Sequence, residues 1–239
     1  NTLTFDFSGN DTGVGISNFE CSIDNSNFSA CSSPVQFTSA NITDGTHTFE
    51  VLSVDNSTNK DPSPASFNWT VDTIAPTTII NSAIDGNNST ITNSSNTKSN
   101  AVMFEFSGND TGGVGIDHLE CSLDGTSFSA CTSPVQFTSA NLLDGTHSFL
   151  VIAQDKVGNM MTTPVLFNWT VDTLPPTTAI NTAIDGNNGT LVSGNSTMST
   201  SMSFTFSGND RGLENNGVGI KQIECSIDNS NFTACVSPV

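Results

Sequence analysis

Along this chain apolar side chains recur at every second position. Leu3, Phe5 and Phe7 alternate with Thr4, Asp6 and Ser8, and Val102, Phe104 and Phe106 repeat the pattern about a hundred residues later. Phe19, Cys21 and Ile23 form another such row, matched by Leu119, Cys121 and Leu123. Phe49 with Val51, and then Phe67, Trp69 and Val71, supply two more. A period of two places alternate side chains on one face of a strand, against a core. No stretch carries the 3.6-residue period of an amphipathic helix. Asp-Gly, Asn-Gly, Gly-Asn-Asp and Ser-Pro steps interrupt the rows at short intervals, as turn chemistry requires. About seven short strands in each hundred residues predict an all-β chain built as antiparallel β-sandwiches.

The pattern itself repeats. "FSGND" begins at Phe7, Phe106 and Phe206, "SPVQFTSAN" at Ser33 and Ser133, "DGTH" at Asp44 and Asp144, and "FNWTVDT" at Phe67 and Phe167. A unit of about 100 residues therefore recurs a little over twice in 239. The expected domains are 1–74, lacking a first strand, then a complete 75–174, then 175–239 as the N-terminal part of a third. We read the chain as a window on a longer array, with the domains arranged end to end. "VDTIAPTT" and "VDTLPPTT" join the repeats, and proline there stiffens the connection because it cannot extend a ladder.

The strings "ECSLDGTSFSACTSPVQF", "DGTHSFLVIAQDKVGN" and "FNWTVDTLPP" together resemble the tandem bacterial-type Ig-like repeats of bacterial and archaeal cell-surface proteins and adhesins. The resemblance covers essentially the whole chain. It implies an Ig-like sandwich, an extracellular or cell-surface location and a spacer or fibre role, and it implies no particular ligand.

Composition narrows the partners. Five Lys and Arg against 23 Asp and Glu give a formal net charge of −18. Such a chain does not seek nucleic-acid phosphates or an anionic membrane surface, but it can hold cations. No apolar run in it is long enough for direct membrane insertion. Sixteen Phe supply the core that the Asn-, Ser- and Thr-rich surface does not.

Six cysteines fall in pairs ten residues apart, Cys21/Cys31, Cys121/Cys131 and Cys225/Cys235, each bracketing a turn-rich centre. A hairpin would put each pair on neighbouring strands, so local disulfides are expected, and with them an oxidising compartment. The alternative, a metal site, lacks CxxC steps and a nearby histidine.

Catalysis finds little to work with. His47 and His147 sit in "DGTH", at a place resembling the corner that many Ig sandwiches give to tyrosine, a residue absent here. His118 is replaced by Asn18 and Gln222 in the other copies. No nucleophile–base order or phosphate-binding loop stands out, so no catalytic residue and no required cofactor is expected. The acids are different, because they recur at turns. In an Ig sandwich, Asp110 in the loop after "FSGN" and Asp155 in the loop between the last two strands lie at one end. Asp72 enters there from the preceding repeat. Three carboxylates would meet at that joint, and Asp172 and Asp210 at the next. Hard oxygen ligands of this kind suit calcium; the competing reading is that each Asp only caps a turn. The third copy adds "RGLENN" (211–216) beside Asp210, which weakens the case there.

Thirteen Asn-x-Ser/Thr sequons occur, at Asn10, Asn27, Asn41, Asn56, Asn68, Asn87, Asn88, Asn93, Asn109, Asn168, Asn188, Asn195 and Asn231. Extracellular placement makes them candidate glycan acceptors. In the strand after "DGTH" the face opposite Phe49 and Val51 is also apolar: Leu52 and Val54, or Leu150 and Ile152. Those four residues are either covered within the chain or form a lateral face for self-association. The leading expectation is a non-enzymatic structural repeat of an extracellular filament, stalk or coat, self-assembling, with neighbouring repeats and surface glycans as partners and calcium at the joints. A ligand-binding adhesin reading glycans or proteins, and the spacer of a secreted enzyme, are the alternatives.

Overall fold

The computed structural model describes residues 2–210 and 219–239, so 211–216, the third-copy insertion, lies outside the described residues. These residues form β-strands, turns and loops, with no helix among them. They separate into two compact units. The first comprises Asn1–Thr78, Gly108–Leu119 and Ile152–Pro164; the second comprises Ile79–Ser107, Glu120–Val151 and Val165–Val239. Several strands run on from one unit into the other.

The first unit holds β1 (Thr2–Phe5), β2 (Ile16–Ile23), β3 (Ser29–Cys31), β4 (Val35–Thr38), β5 (Gly45–Asp55) and β6 (Ala65–Val71). Four of these form a sheet in the order β3-β2-β5-β6, and β1 pairs with β4. The alternation of the sequence is the reason the two sheets can face each other. Phe5 of β1 stacks on Phe49 of β5 with ring centroids 4.7 Å apart and lies 5.2 Å from Trp69 of β6. Phe37 of β4 meets Phe49 edge-on at 5.7 Å. Offset and edge-on rings suit the aromatic quadrupole better than a face-to-face sandwich.

The second repeat is built from β7 (Thr77–Asp85), β8 (Ser95–Thr97), β9 (Val102–Asn109), β10 (Ile116–Leu123), β11 (Ser129–Cys131), β12 (Val135–Phe137), β13 (Gly145–Asp155) and β14 (Val165–Val171). One sheet has the order β11-β10-β13-β14-β8 and the other β12-β9-β7. Phe104 of β9 stacks on Phe149 of β13 at 4.5 Å and lies 5.2 Å from Trp169 of β14, the same arrangement as in the first repeat. Phe104, Phe149, Trp169 and Val151 have essentially no exposed surface. The short β8 pairs parallel to β14, an addition that its polar sequence, Ser-Asn-Thr, did not announce. The third repeat contributes β15 (Thr177–Asp185), β16 (Met202–Asn209), β17 (Ile223–Cys225) and β18 (Thr233–Cys235). β15 pairs with β16 and β17 with β18, both antiparallel.

The apolar second face of β5 and β13 is largely covered within the chain. Leu52 and Val54 are 6% exposed and Ile152 is 5% exposed, with Leu150 half-buried, so these are interior residues. The eleven-residue β5 buries His47 and Phe49 early along its length and Leu52 and Val54, of the opposite face, later. Register explains the cover. Glu20 lies opposite Leu52 on β2, and Lys60 bridges Val54 on the other side of β5. Their ion pair at 2.7 Å must span β5, laying aliphatic stems over the apolar pair. In the second repeat Met160, bridged to Gln154, stands where Lys60 does.

Phe67 and Phe167 occupy equivalent positions in β6 and β14. Phe67 is 55% exposed and Phe167 only 9%, and β8 flanks β14 while no described strand flanks the same edge of β6. Phe167→Ala is therefore expected to destabilise by about 3–5 kcal/mol, and Phe67→Ala by less than about 2 kcal/mol. Denaturant unfolding of the two single variants checks the difference.

Candidate functional site

Asp72, Asp110 and Asp155 come together in the first unit. One carboxylate oxygen of each lies within 4.8 Å of the others, with Asp72 and Asp155 buried and Asp110 half-buried. Each is delivered by a turn. Asp72 follows the last residue of β6; its Oδ1 accepts from Ile74 N at 3.1 Å and its Oδ2 from Val114 N at 2.8 Å. Asp110 follows β9 and its Oδ2 accepts from Gly115 N at 2.7 Å. Asp155 ends β13 and is 2% exposed. Its Oδ1 accepts from Val157 N at 2.9 Å and Asn159 N at 2.8 Å, and its Oδ2 from Asn159 Nδ2 at 2.7 Å. Burial pushes the Asp155 carboxyl up, but those bonds outweigh it and hold it below the ordinary aspartate value.

Two details distinguish this cluster from ordinary turn caps. Asp110 Oδ1 is buried and has no hydrogen-bond partner among the described residues. A buried carboxylate oxygen left unpaired costs free energy unless something positive completes it. Gly113 closes the loop around the acids: a Cβ there would sit 2.5 Å from Asp110 Oδ1, Asp110 Oδ2 and Asp72 Oδ2. Only glycine lets the backbone lie this close. All the ligand atoms on offer are hard oxygens, the donor set of calcium or magnesium.

Asn159 was not anticipated as part of this site. Its Nδ2 donates both to Asp155 Oδ2 and to the Asp72 carbonyl oxygen, the latter at 3.1 Å, and so ties two of the acids together. The signal was present as an Asn four residues after Asp55 and after Asp155. Asp172 and Asp210 are not gathered into a cluster of three among the described residues. Asp172 Oδ1 accepts from Leu174 N at 3.3 Å and Asp210 Oδ2 from Gly219 N at 2.9 Å.

The other recurring acids serve as caps. Asp44 accepts from Thr73 N and Oγ1, as Asp144 does from Thr173. Asp85 accepts from Asn87 N, Ser89 N and Thr97 Oγ1. Burial raises its carboxyl, but those hydrogen bonds, Thr97 first, leave it below the ordinary value. Cys21–Cys31, Cys121–Cys131 and Cys225–Cys235 are disulfides, each joining neighbouring antiparallel strands with Cα atoms 5.8–5.9 Å apart.

His47 and His147 are structural. His47 Nδ1 lies 2.8 Å from Asp24 Oδ2 and Nε2 lies 2.7 Å from the Thr43 carbonyl oxygen. His147 makes the same contacts with Asp124 and Leu143, both at 2.7 Å. At His47 both ring nitrogens face acceptors, an arrangement that favours the protonated ring because only it can donate from both. The His47 ring also lies 5.5 Å from Trp69, where a cation is favoured. His118 Nδ1 lies 2.7 Å from Asp117 Oδ2 at the surface.

No protein-family model matches the chain, and no curated protein matches it. Among solved structures it is similar to the fibronectin(III)-like modules of CbhA from Clostridium thermocellum, at 15% identity and a TM-score of 0.34, over 72% of this chain and 85% of that one. It is also similar to two structures of the extracellular domain of BT4673 from B. thetaiotaomicron, described as a one-component and a hybrid two-component system. Both are 12% identical, with TM-scores of 0.34 and 0.35, over 53% and 66% of this chain. This chain spans 24% and 29% of those two domains.

The histidine geometry sets a pH dependence. The Asp24 side chain, then the Thr43 carbonyl, raise His47 above its ordinary pKa, and His47 with the Thr48 N–H lowers Asp24. The His47 contribution is full below pH about 6.5 and is lost as pH rises through its raised value. The Asp24 contribution is full above pH about 4 and is lost as pH falls through its lowered value. Thermal melting is therefore expected to show greatest benefit from the pair between these limits, and His47→Gln to flatten the alkaline side of the curve.

Proposed function

We propose that this chain is a non-catalytic structural segment of an extracellular or cell-surface filament, stalk or coat, in which a calcium ion fixes the first joint between repeats. The three disulfides support the placement, because such bonds persist in oxidising compartments. Repetition supports the structural role: the sandwich, aromatic core and His–Asp corner of the first copy are made again in the second. Both ring nitrogens of His47 and His147 are committed to structural acceptors, which leaves neither as a general base.

The observation that carries the calcium reading is the buried, unpartnered Asp110 Oδ1 facing a shared space with Asp72 and Asp155. Asp72 comes from the last strand of one repeat, and Asp110 and Asp155 from two strand ends of the next. A divalent ion held by all three removes their mutual repulsion and restricts bending at the proline-containing connection. The irregular, all-oxygen set suits calcium better than magnesium, which demands a near-octahedral shell and retains its waters.

Thermal unfolding of the full chain with calcium, with magnesium and with chelator tests this. At calcium a hundred times its dissociation constant, linkage gives a stabilisation of about 2.7 kcal/mol, read as a rise in melting temperature. Magnesium at the same concentration is expected to give a smaller rise. Asp110→Asn and Gly113→Ala should each abolish the calcium response while the disulfides still form. Melting that does not change between calcium and chelator rejects the metal joint.

A further inference from the structure

The thirteen sequons are not equivalent once the fold is known, and the difference lies in what each asparagine amide is already doing. Asn56 Nδ2 donates to the Val14 carbonyl at 2.7 Å, and Asn109 Nδ2 to Thr111 Oγ1, the hydroxyl of its own sequon, at 2.8 Å. Asn41, Asn68 and Asn93 are held through Oδ1, which accepts from Thr38 N, Thr48 Oγ1 and Asn168 N. Asn168 is half-buried within β14. In each of these the side chain is already held by the fold or lies in a packed strand, and is less free to enter a transferase site.

Among the described residues no side-chain contact holds Asn88 or Asn188, and unlike the equally exposed Asn10, Asn87 and Asn195 they form a free sequon at the same place in two copies. Both occupy the exposed tip of the turn that follows β7 and β15, with φ of 59° and 63°. The turn is held without their side chains. Asp85 Oδ1 accepts from Asn87 N and Ser89 N, and Asp185 Oδ1 from Asn187 N and Gly189 N. Among the described residues neither asparagine side chain has a hydrogen-bond partner, and neither do the hydroxyls of Thr90 and Thr190, the third residues of the two sequons. Their middle residue differs, Ser89 against Gly189, yet acceptor and hydroxyl are both present in each copy. Asn27 and Asn231 also correspond, but there the third residue, Ser29 or Thr233, already opens a paired strand beside a disulfide. Thr90 and Thr190 are each held by a single isolated bridge.

We propose that Asn88 and Asn188 are the preferred N-glycan acceptors of this chain. In the step implied, a polyprenyl-phosphate- or pyrophosphate-linked oligosaccharide is the donor. Asn Nδ2 forms the bond to the sugar C1, the C1–oxygen bond to the phosphate or pyrophosphate breaks, the polyprenyl phosphate or pyrophosphate correspondingly leaves with the electron pair, and Nδ2 loses one proton. The inference rests on the extracytoplasmic placement argued above and is independent of the metal.

The test is mass spectrometry of endoprotease-cleaved native chain purified from its own cells, with thiol labelling of the same sample. Glycan mass is expected on the peptides carrying Asn88 and Asn188 and absent from Asn56 and Asn109. Asn88→Gln with Asn188→Gln should remove the larger part of the added mass, with all three disulfides retained as evidence of folding. Unmodified Asn88 and Asn188, or occupancy concentrated at Asn56 and Asn109, overturns the proposal. Free cysteines in the same sample would in addition overturn the placement it rests on.

Discussion

The first and second repeats each depend on one aromatic pair that crosses between two sheets: Phe5 on Phe49, and Phe104 on Phe149. The strands are short and their outer faces are largely polar, so neither sheet is stable alone. Stacking a ring from one sheet on a ring from the other removes both from water and sets the separation that Trp69 or Trp169 then fills. The rest of the module can be thin in apolar residues because these few rings carry so much buried area.

A second constraint is charge. With only five Lys and Arg, most of the 23 acids cannot be paired with cations. The structure answers with backbone N–H groups: Asp85, Asp155 and Asp185 each draw two or more turn amides onto one carboxylate. This satisfies the carboxylate and fixes the turn at once. It also makes the Asp72, Asp110 and Asp155 cluster conspicuous, since there the available amides do not cover every oxygen.

The strands, the repeat and the cysteine pairs were legible because each follows from local periodicity or spacing. Bringing Asp72, Asp110 and Asp155 together needed only the order of strands in an Ig-like sandwich. Less was visible where the cause was long-range. The Asp24–His47 pairing joins residues 23 apart across a strand pair, and neither position is unusual alone. Alternation left open whether the apolar face of Leu52, Val54, Leu150 and Ile152 is covered or outward, because it cannot show what crosses over a strand. The Glu20–Lys60 pair is a three-dimensional fact. Asn159 was passed over because an Asn after a turn has so many ordinary uses.

The placement of the disulfides has a consequence for how such a chain meets proteases. Every bridge closes a ring of local sequence and none connects one repeat to another. A cut between Cys121 and Cys131 leaves the two halves covalently joined, because the bridge holds the nicked loop shut. A cut between Val71 and Thr77 has no such safeguard and parts the chain completely. Covalent integrity is thus secured within each hairpin and left, between repeats, to a few residues of proline-containing peptide.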